Sequence, residues 1–400
     1  MKTHGGVCVS IELRKEYLES IRVRYLKSRK KEKSLILDEF CEVTTYNRKY
    51  AIRILNSRPK IKKKAGRKKT YCQRCRFHLS KLWIAMNQMC SKKMKEALPH
   101  WLPFYKHTDC DDEVRRLLLT MSASTIDREL RQYKVNYYRR KRTGTKPGKL
   151  LKNIIPIKPF DYNITKPGFA EADTVAHCGD SLSGQFIWSL TFTDTYSGWT
   201  NNRGIWGKNA LAVLDAIADI EEELPFELIG FNCDNGSEFL NHHLVNYFSS
   251  DERQKKQVNF TRSRAYRKND NCHVEQKNWT HVRDLFGYER FEEKEMVAIM
   301  NNIYKNYHNV LHNFFVPQVK LLHKTRIGSK YKRVYSKPQT PYQRLIECKD
   351  VPGETKEQLK AKYETLNPFE LREKIEANMK LIVFYLNNKD NNYEASLSIA

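Results

Sequence analysis

The chain has 400 residues, more than one ordinary domain, with 72 Lys and Arg against 46 Asp and Glu and a formal charge of +26. No apolar run is long enough to span a bilayer and no N-terminal stretch resembles a secretory signal, so no membrane partner is expected, and a cytoplasmic protein acting at the chromosome is. Ten cysteines without a framework pattern suit free thiols in a reducing compartment.

The charge is unevenly placed. Residues 1–150 hold 39 of the 72 basic residues but 14 of the 46 acidic ones, and the remainder is close to neutral. A basic front half of this kind fits nucleic-acid binding, where Lys and Arg displace counterions from phosphates. A surface charged only for solubility does not usually collect on one half.

Residues 1–60 are expected to form a helix-turn-helix module. A basic helix over 11–29 has Leu13, Tyr17, Leu18, Ile21 and Tyr25 at helical spacing. A helix over 34–41 and another over 45–55 follow, and the last opens with Thr45, Asn47, Arg48 and Lys49 free to meet DNA. The N-terminal residues of a recognition helix reach base edges in the major groove. A plain helical hairpin is the alternative reading. The basic run 60–70, with Arg67, Lys68 and Lys69, is either an arm along the minor groove or a solvated linker.

A second helical DNA-binding module is expected over 61–140. One helix runs over 79–98, its Leu82, Trp83, Met86, Met89 and Leu98 read as core. Cys72, Cys75, His78 and Cys90 are read as ordinary residues at a helix start, with zinc as the alternative. A second helix-turn-helix spans 113–133, with Met121 and Ser122 in the turn, Ile126 and Leu130 facing in, and Ser124, Thr125, Arg128 and Arg131 facing out. Residues 141–168 are a basic, Pro-dotted linker.

From Phe169 the pattern changes to α/β. Strands are expected over 169–173, 185–194 and 198–204, a helix over 208–224, a strand over 227–233, a helix over 237–248, a strand over 257–261 and a helix over 272–286, together a core over 169–312. Two of its strands end in acids, Asp173 and Asp234, and the final helix carries Glu275 in its first turn. Taken alone, Asp234-Asn-Gly is an Asx turn closing a buried strand. Three carboxylates gathered from two strand ends and a helix start repel one another unless cations lie between them, and hard oxygen donors suit Mg²⁺ or Mn²⁺. Two such ions imply phosphoryl chemistry.

Asp173, the run Asp234-Asn-Gly-Ser-Glu-Phe239 and the run Asn269-Asp-Asn-Cys-His-Val-Glu275-Gln resemble the signature of DDE transposases of insertion sequences with a retroviral-integrase-type core. The resemblance covers roughly residues 10–345. Sixty residues separate Asp173 from Asp234 and 40 separate Asp234 from Glu275, the latter a few more than is usual there; the polar segment 249–269 can hold the surplus.

The resemblance implies a ribonuclease-H-like mixed sheet flanked by helices, preceded by all-α helix-turn-helix modules. It implies binding of transposon terminal repeats and target DNA, cleavage and strand transfer, and a homo-oligomer on DNA. Asp173, Asp234 and Glu275 are then the catalytic and metal-binding residues, with two Mg²⁺ or Mn²⁺ per site; Asn271, Gln276 and Lys277 contact DNA beside it. A metal-dependent nuclease or resolvase and a non-catalytic DNA-binding regulator remain alternatives. Residues 313–400 are a C-terminal extension, basic over 320–337 and helical from Asn367-Pro onward.

Overall fold

The computed structural model describes residues 11–57, 70–134, 164–249, 257–264 and 271–397. Arg67, Lys68, Lys69 and most of the expected linker lie outside them. The chain divides into two compact units, residues 1–70 and 71–400.

The first unit is a three-helix cluster of α1 (Ile11–Lys27), α2 (Lys30–Thr44) and α3 (Arg48–Asn56). Ile21 and Tyr25 of α1, Ile36, Leu37 and Phe40 of α2, and Ala51 and Leu55 of α3 make its core. The third helix begins at Arg48 rather than at the expected Thr45. Thr45 takes the left-handed conformation, φ 60°, that ends α2 with its N–H on the Cys41 carbonyl, and the Asn47 side chain accepts the Lys49 N–H as the new cap.

The second unit opens with α4 (Gln73–Ala85), α5 (Ser91–Trp101), α6 (Asp112–Thr120) and α7 (Ala123–Lys134). The single helix expected over 79–98 is two, because Asn87 and Gln88 take φ of 51° and 54° and interrupt it. Between α6 and α7 the turn is at Met121 and Ser122, where Ser122 Oγ accepts the Thr125 N–H at 3.2 Å. Ile126 and Leu130 face inward as expected.

The centre is a five-stranded mixed sheet of β1 (Phe169–Ala176), β2 (Ile187–Asp194), β3 (Thr200–Trp206), β4 (Gly230–Cys233) and β5 (Asn259–Arg262) in the order β3-β2-β1-β4-β5. The first three strands are antiparallel neighbours, and β4 and β5 run parallel to β1. This is the ribonuclease-H-like arrangement. Helices α8 (Ala210–Glu222) and α9 (His242–Ser249) cover the sheet through Val213, Ile217, Leu244 and Phe248, packed with Phe192 and Phe231. Such a crossover between parallel strands buries one helix stripe against the sheet.

Next comes a helical run of α10 (Cys272–Lys277), a π-helical turn Asn278–Arg283 and α11 (Asp284–Phe286). A second comprises α12 (Met296–Ile303), a π turn Tyr304–His308 and α13 (Asn309–Phe315). A hairpin follows, β6 (Leu321–Ile327) with β7 (Lys330–Tyr335), then α14 (Pro341–Glu347), α15 (Gly353–Glu364) and α16 (Pro368–Leu397). Residues of α4–α7 and of these later helices share one apolar core around Trp101, Tyr304, Phe314 and Phe315. No helix among the described residues is long and apolar enough to cross a membrane.

Candidate active site

The site is built where β1 and β4 run side by side. Ala172 faces Cys233 across this parallel pair, so the next residue on each strand is an acid, Asp173 and Asp234. Apolar neighbours hold both strands in the sheet: Ala170, Ala172, Phe231 and Cys233 are all buried. Asp173 accepts the Thr174 N–H on Oδ1 at 2.8 Å and the Asn278 amide on Oδ2 at 2.6 Å. Asp234 accepts the Gly236 N–H at 2.9 Å, the Asx turn expected of Asp-Asn-Gly. A Cβ on residue 236 would meet the Glu238 carboxylate, so a larger residue there would displace that side chain.

Desolvation, and after it the neighbouring charge of Asp234, pushes the Asp173 carboxyl up to about 7. Desolvation and the charge of Glu238 raise Asp234 as well. Glu238 is the third member of this crowd. It is buried, its Oε1 takes Lys208 Nζ at 2.8 Å and Thr174 Oγ1 at 3.1 Å, and its Oε2 is a buried oxygen without a hydrogen-bond partner among the described residues. A buried acceptor of this kind beside two mutually repelling carboxylates suits a cation of oxygen chemistry. Among the described residues, however, no three His, Cys, Asp or Glu side chains already converge as a metal cage.

Glu275 is exposed in the first turn of α10, three residues before the Asn278 whose amide holds Asp173. The contacts of Asn278 with Asp173 and of His273 with Glu171 lay the helix that carries Glu275 alongside β1. What fixes α10 is Glu171, two residues before Asp173 and on the same face of β1. Its buried carboxylate accepts the N–H groups of His273 and Val274 at 3.0 and 3.2 Å and meets His273 Nδ1 at 2.9 Å. An anion at the first turn of a helix also complements its dipole. Asn271 completes the joint: it takes the Asn232 amide at 3.0 Å and donates to the Ala172 carbonyl at 3.3 Å.

The other expected contact residues are scattered. Gln276 is exposed, but Asn271 is buried with its amide engaged inside the protein, and Lys277 is 7% exposed, its ammonium pushed well below its ordinary value by burial and by Lys93 and Arg344. In the first unit, Thr45, Asn47, Arg48 and Lys49 are all exposed; Arg48 pairs with Asp38 and bonds Ser34 Oγ at 2.9 Å. In α7, Arg128 and Arg131 are exposed, while Thr125 is buried against Ser122, 3.0 Å between hydroxyl oxygens. Asp194 is a turn residue, accepting from Gly168 N and from both N–H and hydroxyl of Ser197.

The sequence reading assigns no site role to Glu171, Asn278, Thr174 or Glu238. Strand alternation already set Glu171 on the face of Asp173, and helical spacing set Asn278 on that of Glu275. These were available signals.

No protein-family model matches the chain. It is 36% identical over 343 residues to the uncharacterized protein y4rM of Sinorhizobium fredii, an alignment covering 84% of this chain and 96% of that one. Against the catalytic core domain of BIV integrase the TM-score is 0.27 at 16% identity, over 44% of this chain and 91% of that one, a likeness too slight to argue from.

Proposed function

The chain belongs to the family of the uncharacterized y4rM protein of Sinorhizobium fredii, and on that premise we propose that it is a DDE transposase that binds the ends of an insertion sequence, cuts them and joins them to target DNA. The carrying observation is the pair Asp173 and Asp234, each one residue beyond the register pair Ala172–Cys233 of two parallel strands and crowded by Glu238, with the Glu275 helix pinned beside them.

Asp173, Asp234 and Glu275 would hold two Mg²⁺ or Mn²⁺ ions, which when bound activate the attacking oxygen and stabilise the leaving one. The chain's own residues supply the setting. The sheet fixes the two aspartates, Glu171 and Asn271 set the start of α10, and Asn278 orients the Asp173 carboxylate so that one oxygen faces the helix. Lys208 Nζ pairs with the Glu238 carboxylate beside them at 2.8 Å.

End recognition belongs, on this reading, to exposed Asn47, Arg48 and Lys49 at the start of α3 and to Arg128 and Arg131 of α7. The hairpin β6–β7 adds to it. It contains no acid, sets Lys324 directly opposite Arg333, and is exposed beyond the half-buried Leu321, a pairing that repels itself unless phosphates lie near. A homo-oligomer on DNA and a cytoplasmic location complete the proposal.

The test uses labelled duplexes of the gene's flanking ends with Mg²⁺ or chelator, resolving nicked and joined strands. Joined product from wild type is expected, lost with chelator and lowered on the order of 10³-fold or more by Asp234→Asn. Nicking without joining would indicate a nuclease, and specific binding without either product a regulator.

A further inference from the structure

Two residues beyond Glu275, and so about 200° around the helix, Lys277 lines a cavity of about 480 Å³ inside the second unit. Much of its polar lining is basic. Lys93, Lys277 and Arg372 line it together with His281, His308 and His312, whose rings cluster at tilted angles, the last 4.2 and 4.3 Å from the other two between centroids. The lining also carries apolar surface from Met86, Met89, Trp101, Ile375 and Met379.

The charges are poorly balanced. Two carboxylates reach the lining, and both are engaged: Glu376 with Arg372 at 2.8 Å, and Asp284 with the amide of Asn87. Neither Lys93 nor Lys277 has an ion pair or a hydrogen bond among the described residues, and His281 Nε2 and His308 Nδ1 are buried without partners. A buried ammonium costs several kcal/mol without an opposing charge. The three imidazoles do not converge as metal ligands do among the described residues, and neighbouring lysines repel a cation. An anion is what this wall favours.

The volume lies in the range of small-ligand pockets, and adaptable methionines beside an indole suit a planar apolar body. We propose that the cavity binds a nucleoside phosphate, a free nucleotide or the terminal nucleotide of a DNA strand, with the phosphate toward Lys93 and Lys277 and the base against the methionine and Trp101 wall. This does not depend on the chain being a transposase, because binding is read without any DNA being cut.

The experiment is calorimetric titration of the full-length protein with AMP, a 5′-phosphorylated dinucleotide, adenosine and pyrophosphate, for wild type, Lys277→Met and Lys93→Met. Saturable binding of AMP or the dinucleotide with Kd below about 1 mM is expected, weakened at least about tenfold by each substitution and absent for adenosine. AMP binding identifies a free nucleotide as the source; binding of the dinucleotide alone identifies a strand end. Absence of saturable binding by any probe overturns the proposal. So does affinity unchanged in both variants, or pyrophosphate binding as tightly as AMP. Lys93 is only partly buried, so Lys93→Met decides the question if Lys277→Met does not fold.

Discussion

Glu171 shows how much a single side chain can settle. One buried carboxylate ties strand β1 to the start of the helix bearing Glu275, through two backbone N–H groups and the His273 ring. Glu171→Gln keeps the shape but loses the charge and one acceptor. Stability should fall by about 1–2 kcal/mol in denaturant titration. If the proposed function holds, joining should fall about 10- to 100-fold, with more Mg²⁺ needed for half-maximal rate, as befits a group that orients ligands rather than touching substrate.

His177 makes a pH-dependent contribution at the same scale. It is buried, bonds Ser189 Oγ at 2.7 Å, stacks on Phe291 at 5.0 Å, and is pushed down to about 3 by desolvation and then by the Arg283 charge. Its folded-state value lies below the ordinary 6.5, so the fold favours the neutral ring. That stability is fully present above pH 6.5 and is lost as the pH falls toward 3. Unfolding free energy measured at pH 7, 5 and 4 should drop by a few kcal/mol in wild type and by less in His177→Gln. His308, pushed to about 3 by burial, titrates in the same window and keeps the difference partial.

At the scale of elements, the sheet has an edge problem and a specific answer to it. β3 is an outer strand, and its free N–H and C=O groups are a template for unwanted pairing. Three asparagines on the α12–α13 run cover that edge. Asn301 bonds Gly204 N and O at 2.7 and 3.0 Å, Asn309 bonds Asn202 N and O at 3.2 and 3.4 Å, and Asn313 bonds Thr200 N and O at 2.9 Å each. Each side-chain amide imitates the strand that is missing. Asn313→Leu is expected to cost about 2 kcal/mol, since it strands a buried donor and acceptor of Thr200 together. Asn306→Leu, about two turns away and exposed, serves as the control and should stay within about 0.5 kcal/mol.

At the scale of the whole molecule, the second unit melts as its core dictates. Trp101 of α5 donates to the Phe315 carbonyl at 3.2 Å and packs edge-on to Phe369 at 5.2 Å, joining helices that precede the sheet to helices that follow it. Trp101→Ala should cost about 3–5 kcal/mol. Near-ultraviolet and far-ultraviolet circular dichroism should then lose structure in one shared transition for residues 71–400, at a lower temperature than in wild type. Two separated transitions within that unit would contradict a common core.

Much was legible in the chain itself. The alternation of Phe169–Asp173, the Asp-Asn-Gly stop and the amphipathic stripe of Val213, Ile217 and Ile220 mark local periods that burial enforces, so the strands, helices and overall α/β class could be read. Boundaries slipped where side chains cap or break an element, at Asn47 and at Asn87 and Gln88, because those choices turn on a hydrogen bond or a backbone angle and not on a period. Composition and short-range pattern settled the basic front half, its helical character and the acids at strand ends. Which groups meet was left to the tertiary structure: Glu171 under α10, Glu238 beside the aspartates, asparagines along β3 and Lys277 in a cavity instead of on a surface. Apart from Glu238 and Asp234, those contacts join residues tens to more than a hundred positions apart. No local period encodes them, and only the packing of one element against another brings them together.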